Sequence, residues 1–441
     1  MPDSVFTAYE KQIADLHGIV PGADTLRQQA FKTIRAIGLP SVRSEDWRYM
    51  DLSPVREAAF DPAKPAAHAP AIPPLVDEAA ARLVFVNGRY SEDLSDLGDL
   101  WQAASIRPLV NHFMSNEARV GELMRGNDAV TLLNTALMRD GMVLSIPAGV
   151  EIEEPVLIHH IMTQSGRTAV HPRHVIELGE GSTLNVIEHF SGDDDAYWTN
   201  SVLQARVSEG AVLTHTHFVE DGPNALHTGQ IHVSVDAEGA YRSMAVSLGG
   251  KAARFEAHVR LLGEEADATI DGITLAATGQ VHDMITRVTH AVPNATSDQV
   301  VRAIADSRGK TAFQGKVRVD RDAQGTDANQ SFKALVFDRT GEANAKPELE
   351  IFADDVKCGH GATVGQLDEK ALFYLTSRGV APVTARQMLV EAFTADALVR
   401  TAPAGLAALI RDRIEAWMAA RHDRPIPKAD DTPEDAPEET H

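Results

Sequence analysis

The spacing of apolar residues changes twice along the chain, dividing it into helical ends and a β-type middle. In DTLRQQAFKTIRAIGLP, Leu26, Ala30, Ile34 and Ile37 recur at helical spacing behind Asp24, a candidate N-cap, and Gly38 with Pro40 supplies the stop. Trp47 and Tyr49 follow in RSEDWRYMDLSP, where aromatic rings are expected to anchor the helical region to its neighbours. Residues 61–74, DPAKPAAHAPAIPP, hold five prolines and read as a linker or extended strap. LVFVNGRYS predicts a strand pair turning at Asn87-Gly88, and NEARVGELMRGNDAVTLLNTALM returns to helical period before Asp140-Gly141.

From Met142 the pattern becomes short alternating runs broken by glycine turns, and it repeats. GEGSTLNVIEHF, SEGAVLTHTHFV and AEGAYRSMAVSL align with Gly181, Gly210 and Gly239 spaced 29 residues apart, and GEEADATIDGIT from Gly263 is a looser fourth copy. A period of roughly 20–50 residues means stacked units that bury one another's faces. No helical pattern intervenes between 142 and about 355, so the reading is a parallel β-helix and not a βαβ sheet.

After His360 the helical period returns. VTARQMLVEAFTADALV puts Ala385, Met388, Leu389, Ala392 and Phe393 on one face behind Pro382, and GLAALIRDRIEAWM puts Leu406, Leu409, Ile410, Ile414 and Trp417 on another. The predicted organisation is a helical region over 1–139 that includes the strap, a β-helix over 140–357, a helical domain over 358–421 and an acidic, disordered tail over 422–441.

Charge narrows the partners. Against 41 basic side chains stand 63 acidic ones, a net charge of −22 that disfavours a nucleic-acid surface. The N-terminus lacks the pattern of a signal peptide, no apolar run approaches a membrane span, and one cysteine permits no internal disulfide. A cytoplasmic protein without membrane or nucleic-acid partners is expected.

Few motifs carry chemistry. Gly309-Lys310-Thr311 resembles the end of a phosphate loop, but Ile304 occupies the position of its first glycine. Twelve of 18 histidines fall between 159 and 290; His215 and His217 share one face of a strand, a spacing that suits a metal or a solvated face, with a surface or core role expected for most of these histidines. No G-x-S-x-G elbow occurs. What remains is DDVKCGHGATVG, in which the lone Cys358 lies two residues before His360 at an expected β-to-helix junction. A thiol and an imidazole there suit either an activated nucleophile or a soft metal site, and one cysteine cannot hold an iron–sulfur cluster without a second chain.

PELEIFADDVKCGHGATVGQLDEKALFYLTSRG, residues 347–379, resembles the C-terminal signature of the SufB/SufD family of iron–sulfur cluster assembly proteins, in the CxHGAT form of the SufD branch. DGMVLSIPAGVEIEEPVLI from Asp140, FQGKVRVDRDAQGTDANQ from Phe313 and SEDWRYMDL from Ser44 extend the likeness over most of the chain. The resemblance implies a right-handed parallel β-helix between two helical domains, and a non-enzymatic scaffold subunit. Such a chain pairs with SufB through its β-helix and docks the ATPase SufC through its C-terminal helices, where Met388, Leu389 and Phe393 are the candidate contacts. The nascent cluster, transiently shared with SufB, forms at the interface of the two; His360 carries over as the contributing ligand and Cys358 as a neighbouring, dispensable thiol. Family complexes are associated with reduced flavin, for which this sequence has no fingerprint. Two alternatives stand beside this reading: a self-associating structural β-helix, such as a homodimer, and a β-helix polysaccharide lyase.

Overall fold

The computed structural model describes residues 2–20, 22–68, 75–76, 78–109, 128–402 and 404–421. Its centre is a parallel β-solenoid of about eight turns with helices at both ends. The strands alternate between two sheets, so that Trp198–Val207, Leu226–Val235 and Ala252–Leu261 stack in one while Thr183–Gly192, Val212–Glu220 and Ala240–Ser247 stack in the other. Inward positions of both sheets fill one apolar core, including Leu184, Leu213, Ile231, Phe255, Val301 and Phe332.

The glycine repeat is offset from the expectation by one residue. Thr183 pairs with Val212, 29 residues on, but Val212 pairs with Ala240, only 28 on. Gly239 therefore takes the place of Ala211, and the corner occupied by Gly181 and Gly210 continues through Glu238, Glu265, Asn294 and Gly325. All six have positive φ, between 54° and 73°. The corner geometry is conserved by the coil even where the residue is not glycine, at a modest strain for Glu238 and Glu265.

The solenoid reaches beyond the limits read from the pattern. Ala81–Val86 already pairs in parallel with Val156–Met162, and Val86 turns through Asn87-Gly88 into Arg89–Tyr90, as expected of that hairpin. Asp61–Pro62 of the strap pairs with Thr168–Ala169, while 69–74 lie outside the described residues. Of the segment expected to be helical before Asp140, the described part forms the helix Ala129–Leu137, capped by Asp128. Residues 110–127 and the tail 422–441 lie outside the description.

The N-terminal helices Asp3–Asp15 and Asp24–Ile37 bury Val5, Phe6, Tyr9, Phe31 and Ile34 against Ala129–Leu137 and against Trp198 of the first sheet. Trp47 anchors this layer, with the Arg254 guanidinium 3.8 Å over its ring and also donating to the Asp46 carbonyl oxygen. The C-terminal helices Pro382–Thr401 and Ala404–Ala419 cover the other sheet, burying Val390, Leu398, Leu406 and Ile410 against Met244, Ile273 and Ile304. Arg302 with Asp396, and Arg400 with Asp271 and Asp298, tie this layer down. No helix among the described residues is long and apolar enough to cross a membrane.

Candidate functional site

The two ends of the solenoid differ. At the N-terminal end, antiparallel strands Arg89–Tyr90 and Ser105–Pro108 close the two sheets. At the C-terminal end, Glu342–Ile351 pairs only with Lys310–Val319, and Val356–Gly365 only with Thr326–Val336, among the described residues. Each of these last strands leaves a row of backbone groups unpaired, a template for another chain. Ile351, Phe352 and Val364 are exposed on or beside these strands, as are Phe373, at 72%, and Tyr374 on the helix Glu369–Ser377 that follows them in the chain.

Cys358 and His360 lie on this terminal strand, not on a junction beyond it, and the strand continues to Gly365, past the boundary expected at 357. Their register partners, Ala328 and Gln330, are buried residues of the preceding coil. Alternation along a strand puts Cys358 and His360 on the same inward face, where Cys358 packs on Val317, Val319 and Ala328. No coil follows to cover them, so Cys358 is half-buried and His360 exposed. Burial, and then the nearby Asp327 carboxylate, push the Cys358 thiol upward. It is a neutral thiol at neutral pH, a poor nucleophile. His360 leaves its imidazole exposed on the open end.

The third expected group is rotated. The buried face of Pro382–Thr401 is Ala385, Val390, Thr394, Ala397, Leu398 and Thr401, which shares only Ala385 with the stripe read from the sequence. Met388 is exposed, Leu389 half-buried, and Phe393 packs partly on its own domain. Met388 lines a groove between this helix and Ala404–Ala419, with Gln387, Glu391, Arg411 and Glu415.

His215 and His217, expected to share one face of a strand, do so on a buried face and not a solvated one, and Glu188, which the sequence reading did not single out, joins them. His215 and His217 face the lumen, nearly solvent-free, and meet the buried Glu188 one coil below. His215 Nε2 lies 2.9 Å and His217 Nδ1 3.5 Å from Glu188 Oε2. Burial pushes Glu188 upward, but the hydrogen-bond and charge interactions with His215 and His217 together hold it well below the usual carboxylate range, while burial lowers His217 to about 4. The coil period itself was the signal: Glu188 precedes His217 by 29 residues, the distance between successive turns.

Comparisons with known proteins converge on one family. Residues 160–393 match the SufBD core domain of the SUF system for iron–sulfur cluster assembly, and 76–158 the SufBD N-terminal region. The chain is 30% identical over 382 residues to the iron–sulfur cluster assembly protein SufD of Escherichia coli, covering 84% of this chain and 87% of that protein. It is similarly 30% identical over 410 residues to a SufBD family protein of Synechocystis, covering 87% and 89%. A chloroplastic Arabidopsis thaliana protein, ABCI7, is 29% identical over 389 residues, covering 85% and 81%. The chain belongs to the SufB/SufD family of iron–sulfur cluster assembly proteins, on its SufD-like branch.

Proposed function

We propose that this chain is the scaffold subunit that pairs with SufB through the open end of its solenoid and docks the ATPase SufC on its C-terminal helical layer. The observation that carries this reading is the asymmetry of the solenoid, closed at one end and left with two unpaired parallel edges and exposed apolar side chains at the other. A second β-solenoid of the same family could continue both sheets from those edges. In a chain of net charge −22, an apolar end is also the surface that best escapes self-repulsion.

The chemistry in this reading is lent, not performed, by the chain. His360 supplies one neutral imidazole to a nascent cluster whose other ligands come from SufB, and Cys358 stands behind it as a dispensable thiol. Met388, Leu389 and Phe393 belong to the SufC-facing layer, with the exposed Met388 the contact of greatest reach. Reduced flavin would enter only with the assembled complex, which works in the cytoplasm. The open edges favour one second reading, self-association into a homodimer through the same end.

The experiment is to co-express His360→Ala and Cys358→Ala chains with SufB and SufC and to measure iron, sulfide and subunit ratio. A ligand role requires His360→Ala to leave the subunit ratio intact while iron and sulfide fall sharply, with Cys358→Ala milder. A full cluster load on an intact His360→Ala complex removes His360 from the site.

A further inference from the structure

The lumen cluster gathers two imidazoles and a carboxylate whose donor atoms converge in a dry interior. The chain of contacts begins at Tyr197, whose oxygen accepts from the Gly222 N–H, so its own proton goes to Asp221 Oδ1 at 2.8 Å. The other carboxylate oxygen of Asp221 lies 2.8 Å from His227 Nδ1, which must therefore carry a proton. His227 Nε2 lies 3.0 Å from His217 Nε2, so one of these two nitrogens donates to the other. With His217 Nε2 as the donor of that pair, its Nδ1 presents a lone pair towards Glu188 Oε2, 3.5 Å away, the form in which it can ligate an ion. Glu188 Oε1 is also buried and has no hydrogen-bond partner.

His215 completes the set. Its Nε2 lies against Glu188 Oε2, and its Nδ1 is 3.3 Å from the Tyr241 hydroxyl, a group able to accept the Nδ1 proton when Nε2 is a ligand. The ligand atoms of Glu188, His215 and His217 all lie within 4.8 Å of one another. Two donors on a tetrahedral ion at about 2.1 Å stand roughly 3.4 Å apart, close to the spacings seen here. Gly229 makes room for the arrangement, since a Cβ there would come within 2.4 Å of His217 Nε2 and 3.0 Å of His227 Nε2.

In the neighbouring group of His160, His174 and Glu188, both nitrogens of His174 are already engaged. His174 Nδ1 accepts from the Met142 N–H at 3.2 Å, so its Nε2 carries the proton and donates to His160 Nε2 at 3.2 Å. That pair is satisfied without an ion.

We infer that the solenoid holds a divalent first-row metal ion, of the zinc or ferrous class, between His215 Nε2, His217 Nδ1 and the Glu188 carboxylate, oriented by the His227–Asp221–Tyr197 relay. Two imidazoles and one carboxylate are a donor set for either ion. Five coil steps separate the cluster's strand from the terminal strand, about 24 Å at 4.8 Å per step, so the site is distinct from Cys358 and His360. Its burial means that the ion enters as the coils close, and it serves as an internal clamp between successive turns.

The test uses the full chain, expressed in separate cultures supplemented with zinc, with iron or with cobalt, then purified and washed with chelator to strip surface metal. The expected result is one retained ion per chain from at least one culture, with a cobalt-loaded protein showing the ligand-field bands of a low-coordinate ion. X-ray absorption of the loaded wild type should show nitrogen and oxygen neighbours without sulfur, a readout that needs no variant. Glu188→Gln should lose the ion, Asp221→Asn should weaken retention about 10–100-fold, as expected for an orienting group, and Cys358→Ala with His360→Ala should retain it. No retained ion in any culture, sulfur in the metal's coordination shell, or an ion that survives Glu188→Gln in a folded chain would each overturn the inference.

Discussion

Acidification from pH 7 to pH 5 should loosen this protein by an amount set by its buried imidazoles. His159, His174, His282 and His290 are each at most 3% exposed, and burial lowers them to about 3, 4, 4 and 4. Unfolded, each returns to about 6.5 and takes up a proton that the folded chain refuses, so stability is full above pH 6.5 and falls as pH drops towards 4. Over the two units from pH 7 to 5 each histidine removes about 1.8 kcal/mol, roughly 7 kcal/mol for four. Two carboxyl groups act in the opposite sense. Burial raises Asp271 to about 7 and Asp283 to about 6, so the folded chain binds their protons more tightly than the unfolded one, and acidification through those values returns about 4 kcal/mol. The net loss from these six groups is about 3–4 kcal/mol, a large share of an ordinary folding free energy, and His160, His171, His217 and His232, which burial also lowers, deepen it. Urea titrations followed by tryptophan fluorescence at pH 7, 6 and 5 measure it. His290→Gln should shrink the loss by about 2 kcal/mol, and Asp271→Asn should enlarge it by about the same amount. Stability that is flat or rises between pH 7 and 5, or two variants that shift the slope in the same direction, would refute the reasoning.

Val364→Lys, on the exposed terminal edge, should abolish SufB co-elution while changing the stability of the free chain by no more than about 0.5 kcal/mol in thermal melts. Cys358 should react slowly with iodoacetamide at pH 7 and accelerate as pH rises beyond the ordinary thiol range, because its thiol is pushed upward; rapid modification at pH 7 would contradict this. Trp47→Ala, which removes a buried ring from beneath Arg254, should cost about 3–5 kcal/mol and loosen the N-terminal layer first in hydrogen exchange.

The architecture was legible because a solenoid writes its period into the sequence. Gly181 and Gly210 mark one corner, and Trp47 reads as an anchor from its ring alone. The slip at Gly239 was not legible, since backbone geometry continues the corner through Glu238 after a coil one residue shorter. Local pattern likewise misplaced the buried face of Pro382–Thr401: Met388 and Leu389 are apolar, but the solenoid sheet beneath selects Val390, Ala397 and Leu398. At the open end, Cys358 and His360 could be found by motif, whereas their place on an uncovered edge required the strand register. The lumen cluster is the converse case. His215 and His217 announce themselves by alternation, but Glu188 joins them only through stacking of turns, which no single-strand pattern reports.

The most direct measurement is gel filtration of the chain mixed with SufB and SufC, alongside the chain alone, with subunit ratios read from the eluted peaks. The account predicts a complex containing all three proteins, and its loss of SufB alone when Val364→Lys blocks the terminal edge. A chain that elutes apart from SufB, or a complex that forms undiminished with the edge blocked, would contradict it.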